Sequence, residues 1–110
     1  MRALLNTLFV TSEDIYLALD GENITANRGG ETVARYPLHT LQSIVSFSYA
    51  GASPALMGAC AQRGIGLAFC TPNGRFLARL ADVEPDGRFV LQDEAGRLRK
   101  YLFKEVQYIL

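Results

Sequence analysis

The sequence is short of the residues that usually mark a catalytic or metal-binding protein. It contains no tryptophan, one histidine and two cysteines in 110 residues, and its 11 basic side chains are balanced by 11 acidic ones. A formal net charge of zero argues against attraction of the whole domain to nucleic acid, although local basic patches stay possible. Two cysteines and one histidine at this spacing are too few ligands for a structural metal site.

Long apolar runs are also absent. No stretch approaches the ~18 residues needed to cross a bilayer, and Met1 and Arg2 do not open a secretory signal peptide. Cys60 and Cys70 lie in apolar surroundings with nothing else to suggest secretion. We therefore expect two reduced core cysteines in a cytoplasmic protein with no membrane partner, and a disulfide between them is the alternative.

Apolar residues make up 49% of the chain, enough for one domain spanning residues 1–110. Short apolar or alternating runs, separated by turn signals such as Asp20-Gly21 and Asn73-Gly74, are typical of antiparallel strands joined in hairpins. The predicted fold class is α+β, mainly β. The predicted strands cover residues 4–10, 15–19, 23–26, 32–36, 44–47, 67–70, 75–83 and 88–91.

The central stretch, residues 44–76, predicts a strand, a short helix, a strand, a hairpin turn and another strand. Ser53 is a suitable helix N-cap, and Pro54 stands at the first helical position, where its missing N–H costs nothing. Gly64 stands where a left-handed C-terminal cap is expected. The helix of ~10 residues is too short to be stable alone, so packing against the strands must stabilise it.

The end of the chain, residues 97–110, is predicted as a second helix. Its apolar residues recur at helical spacing, although the segment also alternates well enough for a strand. The apolar positions are Leu98, Tyr101, Leu102, Val106 and Ile109.

Several separated motifs resemble one protein family. The run GASPALMGACAQRGIGLAFCTPNGRFLARL, residues 51–80, is similar to the amino-terminal β-rich domain of the CRISPR-associated endonuclease/integrase that inserts new spacers into a CRISPR array. It looks closest to members from type I systems. The segments LLNTLFV (residues 4–10), YLALDGEN (16–23) and PLHTL (37–41) agree in the same order. The resemblance covers roughly residues 1–80 and weakens from Ala81 onward.

The resemblance implies a role in spacer acquisition and antiviral defence. The family domain pairs with its counterpart in a second subunit, and the dimers hold a small companion subunit and DNA. The family's glutamate, histidine and aspartate, which bind Mg²⁺ or Mn²⁺ for strand cleavage, belong to a helical domain to which no position here corresponds. We therefore assign no catalytic, metal or cofactor residue to this chain, and whether it is an enzyme stays open.

Two sets of residues are candidates for binding. Apolar residues on both faces of the first strand suggest burial of both faces or an interface on one of them. The candidate dimer residues are Leu5, Thr7 and Phe9. Basic side chains could contact DNA phosphate, although a solvated surface is the simpler interpretation. The candidate DNA-binding residues are Arg75, Arg79, Arg97, Arg99, Lys100 and Lys104.

His39 and the chain as a whole have further interpretations. His39 is expected in a packed or hydrogen-bonded position outside any active site. The chain could instead be a stand-alone β-rich module that binds protein or DNA. It could also be a short divergent protein derived from the integrase, whose activity depends on another chain.

Overall fold

The computed structural model describes the backbone of residues 2–4, 6–83 and 89–101, and the side chains of residues 6–81 and 90–98. These residues form ten strands, one α-helix and one 3₁₀ turn. The strands are β1 (Arg2–Leu4), β2 (Thr7–Val10), β3 (Tyr16–Asp20), β4 (Asn23–Arg28), β5 (Glu31–Pro37), β6 (Ser43–Ser46), β7 (Gly66–Cys70), β8 (Phe76–Val83), β9 (Phe89–Asp93) and β10 (Leu98–Tyr101). The helix α1 is Pro54–Arg63, and the 3₁₀ turn is Leu38–Thr40.

The strands form two sheets. The large sheet has the order β1-β2-β6-β7-β8-β9-β10, and the small sheet is the meander β3-β4-β5. Strand β6 pairs in parallel with both β2 and β7, and the other strand pairs are antiparallel. The mainly β, α+β fold class is confirmed. The parallel centre of the large sheet was not anticipated, because a period-2 pattern carries no information about strand direction.

Helix α1 has the predicted ends. Ser53 accepts a hydrogen bond from the Leu56 N–H at 3.1 Å, Pro54 is the first helical residue, and Gly64 closes the helix with φ +67°. The helix contacts β3 of the small sheet and β7 and β8 of the large sheet. Its buried residues, Leu56, Met57 and Cys60, therefore join the two sheets in one hydrophobic core.

The loop before the helix also binds the two sheets together. The Leu17 N–H donates to the Gly51 carbonyl at 3.0 Å, and the Ser53 N–H donates to the Leu17 carbonyl at 2.8 Å. The buried Ser48 hydroxyl lies 3.0 Å from the Glu13 carbonyl oxygen and 2.5 Å from that of Ile15. Residues 47–53 thus satisfy backbone groups of the segment that enters the small sheet.

The first predicted strand, residues 4–10, is wrong as a single element. It is a hairpin of β1 and β2, with Leu4 opposite Thr7 and Asn6 in the left-handed region at φ +66°. Asparagine tolerates this conformation better than other residues with a Cβ, because its short polar side chain can hydrogen-bond locally. Leu5 lies outside the described residues.

The predicted C-terminal helix is wrong for its described part, because Leu98–Tyr101 is strand β10, paired antiparallel with β9. The turn before it explains the difference. Asp93 Oδ1 accepts hydrogen bonds from the N–H groups of Ala95 and Arg97, each at 3.0 Å, and Gly96 has φ +78°. This turn directs the chain back along the open edge of β9. Residues 102–110 lie outside the described residues.

Of the packed or hydrogen-bonded positions expected for His39, the packed one is wrong. His39 lies in the 3₁₀ turn and its side chain is exposed. In this turn Leu38 is fully buried, and it supplies the apolar anchor in place of the histidine.

Gly58 within α1 and Gly64 at its C-terminal cap give a paired test of the helix geometry. We expect Gly64→Ala to lower the free energy of unfolding by about 1–2 kcal/mol, because alanine is disfavoured at positive φ. Gly58→Ala should raise it by about 0.5–1 kcal/mol, because Gly58 has helical geometry and an added Cβ would meet nothing within 4 Å. Urea unfolding of the three proteins measures both changes. Effects of the same sign would contradict this assignment of the helix end.

Candidate functional site

One face of the large sheet packs in the core, whereas the described side chains on its other face are half-buried or exposed. On its core face, side chains pack with α1 and the small sheet. On the other face, which we call the outer face, side chains alternate with these core residues. The outer face comprises Thr7, Phe9, Ser43, Val45, Ala68, Arg79, Gln92 and Leu98.

The outer face is organised as a continuous cross-strand row. Register places six residues side by side, in the order Phe9, Val45, Ala68, Arg79, Gln92 and Leu98. At about 4.8 Å between strands, the row is roughly 24 Å long. Phe9, Val45 and Ala68 are half-buried, whereas Leu98 is 64% exposed. The row therefore presents apolar surface at both ends with a polar pair between them.

The polar groups of the outer face bond to one another. The Thr7 and Ser43 hydroxyls lie 2.7 Å apart across the parallel β2–β6 pair. Arg79 Nε donates to the Gln92 Oε1 at 2.7 Å across β8 and β9. These contacts pair the polar side chains across neighbouring strands, and each contact uses only part of the hydrogen-bonding capacity of the groups that it joins.

Two of the three predicted dimer residues, Thr7 and Phe9, lie together on this outer face. Leu5, the third, is outside the described residues. Sequence reasoning missed Val45 and Ala68, which register places beside Phe9. The alternation of their strands was visible in the sequence, but the parallel order β2-β6-β7 that brings them to Phe9 was not.

The predicted DNA-binding residues do not form one cluster in the part of the chain that the structure describes. Arg79 is on the outer face, whereas Arg75 precedes β8 and lies 3.6 Å from Glu94. Arg97 lies 3.6 Å from Asp93 in the turn before β10. For Arg99 and Lys100 the structure describes only backbone in β10, and Lys104 lies outside the described residues.

The arginines of the small sheet and the helix are paired with carboxylates. Arg35 contacts Asp20 at 2.6 Å, and Arg63 of the helix contacts Glu22 at 2.5 Å. Arg28 contacts Asp14 at 2.8 Å, and this hydrogen bond lowers the pKa of the Asp14 carboxyl below its usual value. Of the six arginine side chains that the structure describes, five contact a carboxylate, and Arg79 contacts the neutral amide of Gln92.

No described group of side chains has the composition of a metal centre. Within residues 6–81 and 90–98, no three His, Cys, Asp or Glu side chains are placed to hold a metal ion. Cys60 and Cys70 are free and buried, and burial raises the pKa of both thiols, that of Cys60 to about 11. A buried thiol with a raised pKa is a poor nucleophile at neutral pH. No described helix is long and apolar enough to cross a membrane.

Comparison with known proteins identifies the family. The family model described as "CRISPR associated protein Cas1" matches residues 8–100. The chain belongs to the Cas1 family. It is 46% identical over 80 residues to "CRISPR-associated endonuclease Cas1 2" of Rhodospirillum rubrum, and 42% identical over 80 residues to "CRISPR-associated endonuclease Cas1 1" of Chlorobaculum tepidum. Each match covers 73% of this chain but only 23% of the relative, so the chain spans about a quarter of their length.

Solved structures show the same fold at low sequence identity. The chain resembles a chain of the "Cas6-RT-Cas1--Cas2 complex" with a TM-score of 0.62 at 11% identity, covering 77% of this chain and 10% of that one. A chain of the "Partial Cas6-RT-Cas1--Cas2 complex" matches with a TM-score of 0.58 at 14% identity, covering 76% and 25%. These two matches show a shared fold, and the family assignment rests on the sequence matches.

Burial of the two cysteines makes their reactivity a test of the core. In the native protein at pH 8, both should react with a thiol reagent much more slowly than in urea, because they are inaccessible and mostly protonated. The rate should rise with pH as the thiolate fraction grows. Rapid reaction of one thiol in the folded protein, measured with a chromogenic disulfide reagent, would contradict its placement.

Proposed function

We propose that this Cas1-family chain is a dimerisation and scaffold domain for CRISPR spacer acquisition in the cytoplasm. Two copies pair and hold a small companion subunit and DNA, while the chain by itself does not cut DNA. The solved relatives in complexes named for Cas1 and Cas2 support a partner of this kind. In this proposal, metal-dependent chemistry with Mg²⁺ or Mn²⁺ belongs to the part of the relatives that this chain does not span.

The observation that carries the proposal is the outer face at β2 and β6. Thr7 and Phe9 of the β1–β2 hairpin and Val45 of β6 form a half-buried patch near the edge of the large sheet. A two-fold dimer uses the same patch on both copies, so an apolar strip beside an open edge meets an identical strip. The Thr7–Ser43 contact pairs the two hydroxyls of this area with each other, which lowers the cost of burying them.

The size of the patch sets the expected strength. A standard interface buries about 800 Å² on each partner, a square of roughly 28 Å. The patch at β2 and β6 is two strands wide, roughly 10 Å, and at four residues a strand it is roughly 13 Å high. Pairing must therefore also use the neighbouring edge strand β1 and further strands of the outer face. We expect a dimer that is populated at micromolar concentration but dissociates on dilution.

Phe9→Glu tests the patch directly. Burying an unpaired carboxylate in the contact should raise the dimer dissociation constant by about tenfold or more. Val33→Glu is the matched control, because Val33 is a 51% exposed apolar residue on β5 of the small sheet. Sedimentation equilibrium measures both, with circular dichroism as a check of folding. A wild-type monomer well above micromolar concentration, or equal weakening by both substitutions, would refute the proposal.

Direct DNA contact is a second candidate function, and the neutral partner of Arg79 favours it. Releasing Arg79 from Gln92 costs one hydrogen bond between a cation and an amide, whereas the other described arginines would have to leave carboxylates. Arg79→Gln should weaken binding of branched DNA and make it less dependent on salt, because one phosphate contact is lost. Arg35→Gln is the control. Equal binding of branched DNA by the wild type and by Arg79→Gln would contradict this contact. In the same samples we expect the chain not to nick the DNA when Mg²⁺ or Mn²⁺ is added.

A further inference from the structure

A pocket lies at the carboxyl ends of β2 and β6, next to the half-buried patch proposed for the dimer. The Phe47 N–H donates to the Val10 carbonyl at 2.9 Å, so the parallel pairing continues past the two strand ends. Val10 and Ser46 are fully buried, which places the following residues, Thr11 and Phe47, on the side of the outer face. The pocket, which we call the end pocket, has a volume of about 340 Å³ and is lined by Thr11, Phe47, Pro72, Asn73 and Gly74.

One wall of the end pocket is the β7–β8 turn, which hydrogen bonds hold in place. The Thr71 N–H donates to the Arg75 carbonyl at 2.7 Å, and the Gly74 N–H donates to the Thr71 carbonyl at 2.8 Å. The Arg75 N–H donates to the Thr71 hydroxyl oxygen at 2.9 Å, and this hydroxyl also contacts Asn73 Oδ1. A wall that is already ordered loses little conformational entropy when the pocket is filled.

An exposed aromatic side chain stands beside the end pocket. Tyr49 is 65% exposed, and its N–H donates to the Glu13 carbonyl at 2.9 Å, which fixes its backbone. It is two residues from Phe47, no more than about 7 Å along the chain. A tyrosine ring on a fixed backbone offers a large contact area at a low cost in side-chain entropy, since it has two rotatable bonds.

The size of the dimer contact identifies the occupant of the end pocket. The patch at β2 and β6 is roughly 10 Å by 13 Å, well below the 800 Å² or so that each partner of a standard interface buries. The end pocket and Tyr49 extend the same face by three residues beyond Ser46, or about 10 Å. In a two-fold contact both copies present both features, so a ring and a pocket that lie side by side can each meet their counterpart.

We infer that Tyr49 of each copy fills the end pocket of the other and is the anchor of the dimer contact. The inference rests on the proposed dimer and names the residue on which most of its affinity depends. The pocket volume is near the lower end of the range for ligand pockets, which suits a single side chain better than a cofactor.

Tyr49→Ala tests the anchor in the full chain. Because tyrosine anchors in interface pockets carry a large share of the binding energy, the substitution should raise the dimer dissociation constant by about tenfold or more. Val33→Ala is the matched control, since Val33 is a 51% exposed apolar residue on the small sheet and should leave the constant unchanged. Sedimentation equilibrium measures both variants, and circular dichroism checks that they are folded.

A mixing experiment distinguishes a ring that enters the partner's pocket from one that acts within its own copy. Thr11→Trp places a bulky side chain at an exposed lining position and should weaken the dimer as Tyr49→Ala does. In a mixed dimer of these two variants, Tyr49 of one copy still meets the open pocket of the other. One of the two contacts is therefore regained, and the mixed dimer should bind about threefold more tightly than either variant alone.

Native mass spectrometry separates the three dimers of the mixture by mass, and the expected result is an excess of the mixed dimer over random pairing. Asn73→Phe replaces Thr11→Trp if the latter is not folded. A dimer that Phe9→Glu weakens but Tyr49→Ala does not, or a mixture with random pairing, would overturn this inference and leave the dimer proposal standing. A wild-type monomer well above micromolar concentration would refute both.

Discussion

The packing of residues 47–53 and α1 between two sheets is the constraint on which the rest of the structure depends. The loop donates and accepts backbone hydrogen bonds at Leu17, where β3 of the small sheet passes. The helix then buries Leu56, Met57 and Cys60 between β3 and the large sheet. The apolar side chains that the structure describes on one face of the large sheet are thereby buried. The opposite face is left to make whatever intermolecular contacts the domain makes.

Because one face of the large sheet packs in the core and the other does not, the candidate site is an open sheet surface and not a cleft with catalytic side chains. The described carboxylates that contact arginines lie in turns, at strand ends or in the loops around the small sheet, as with Asp14, Asp20 and Glu94. Such exposed pairs contribute little to stability and do not converge on a common point. The outer face instead offers aligned apolar side chains with internally bonded polar groups, which suits contact between proteins.

Much of the fold could be predicted because its signals are local. The cap at Ser53, the terminator at Gly64 and the turn at Asp20-Gly21 each depend on a few neighbouring residues, and the structure confirms them. The two wrong predictions concern features that depend on contacts distant in the sequence. The break at Asn6 and the strand at Leu98–Tyr101 depend on which partner strand is available, and that is a property of the whole sheet.

The candidate site was predictable only in part for the same reason. Thr7 and Phe9 could be chosen because their own strand alternates, but their neighbours Val45 and Ala68 come from strands brought beside them by parallel pairing. For the basic residues, the sequence does not show which side chains are already paired. A count of arginines does not reveal that Arg75 and Arg97 already face carboxylates, since these contacts form only when the β8–β9–β10 turns are folded.

The central claim is that the outer face at β2 and β6 is where two copies meet. Isotope-filtered NMR on a mixture of labelled and unlabelled chains tests it most directly, because it detects only contacts between molecules. We expect intermolecular contacts from the methyl groups of Thr7 and Val45. Intermolecular contacts confined to the small sheet, for example at Val33, would contradict the account.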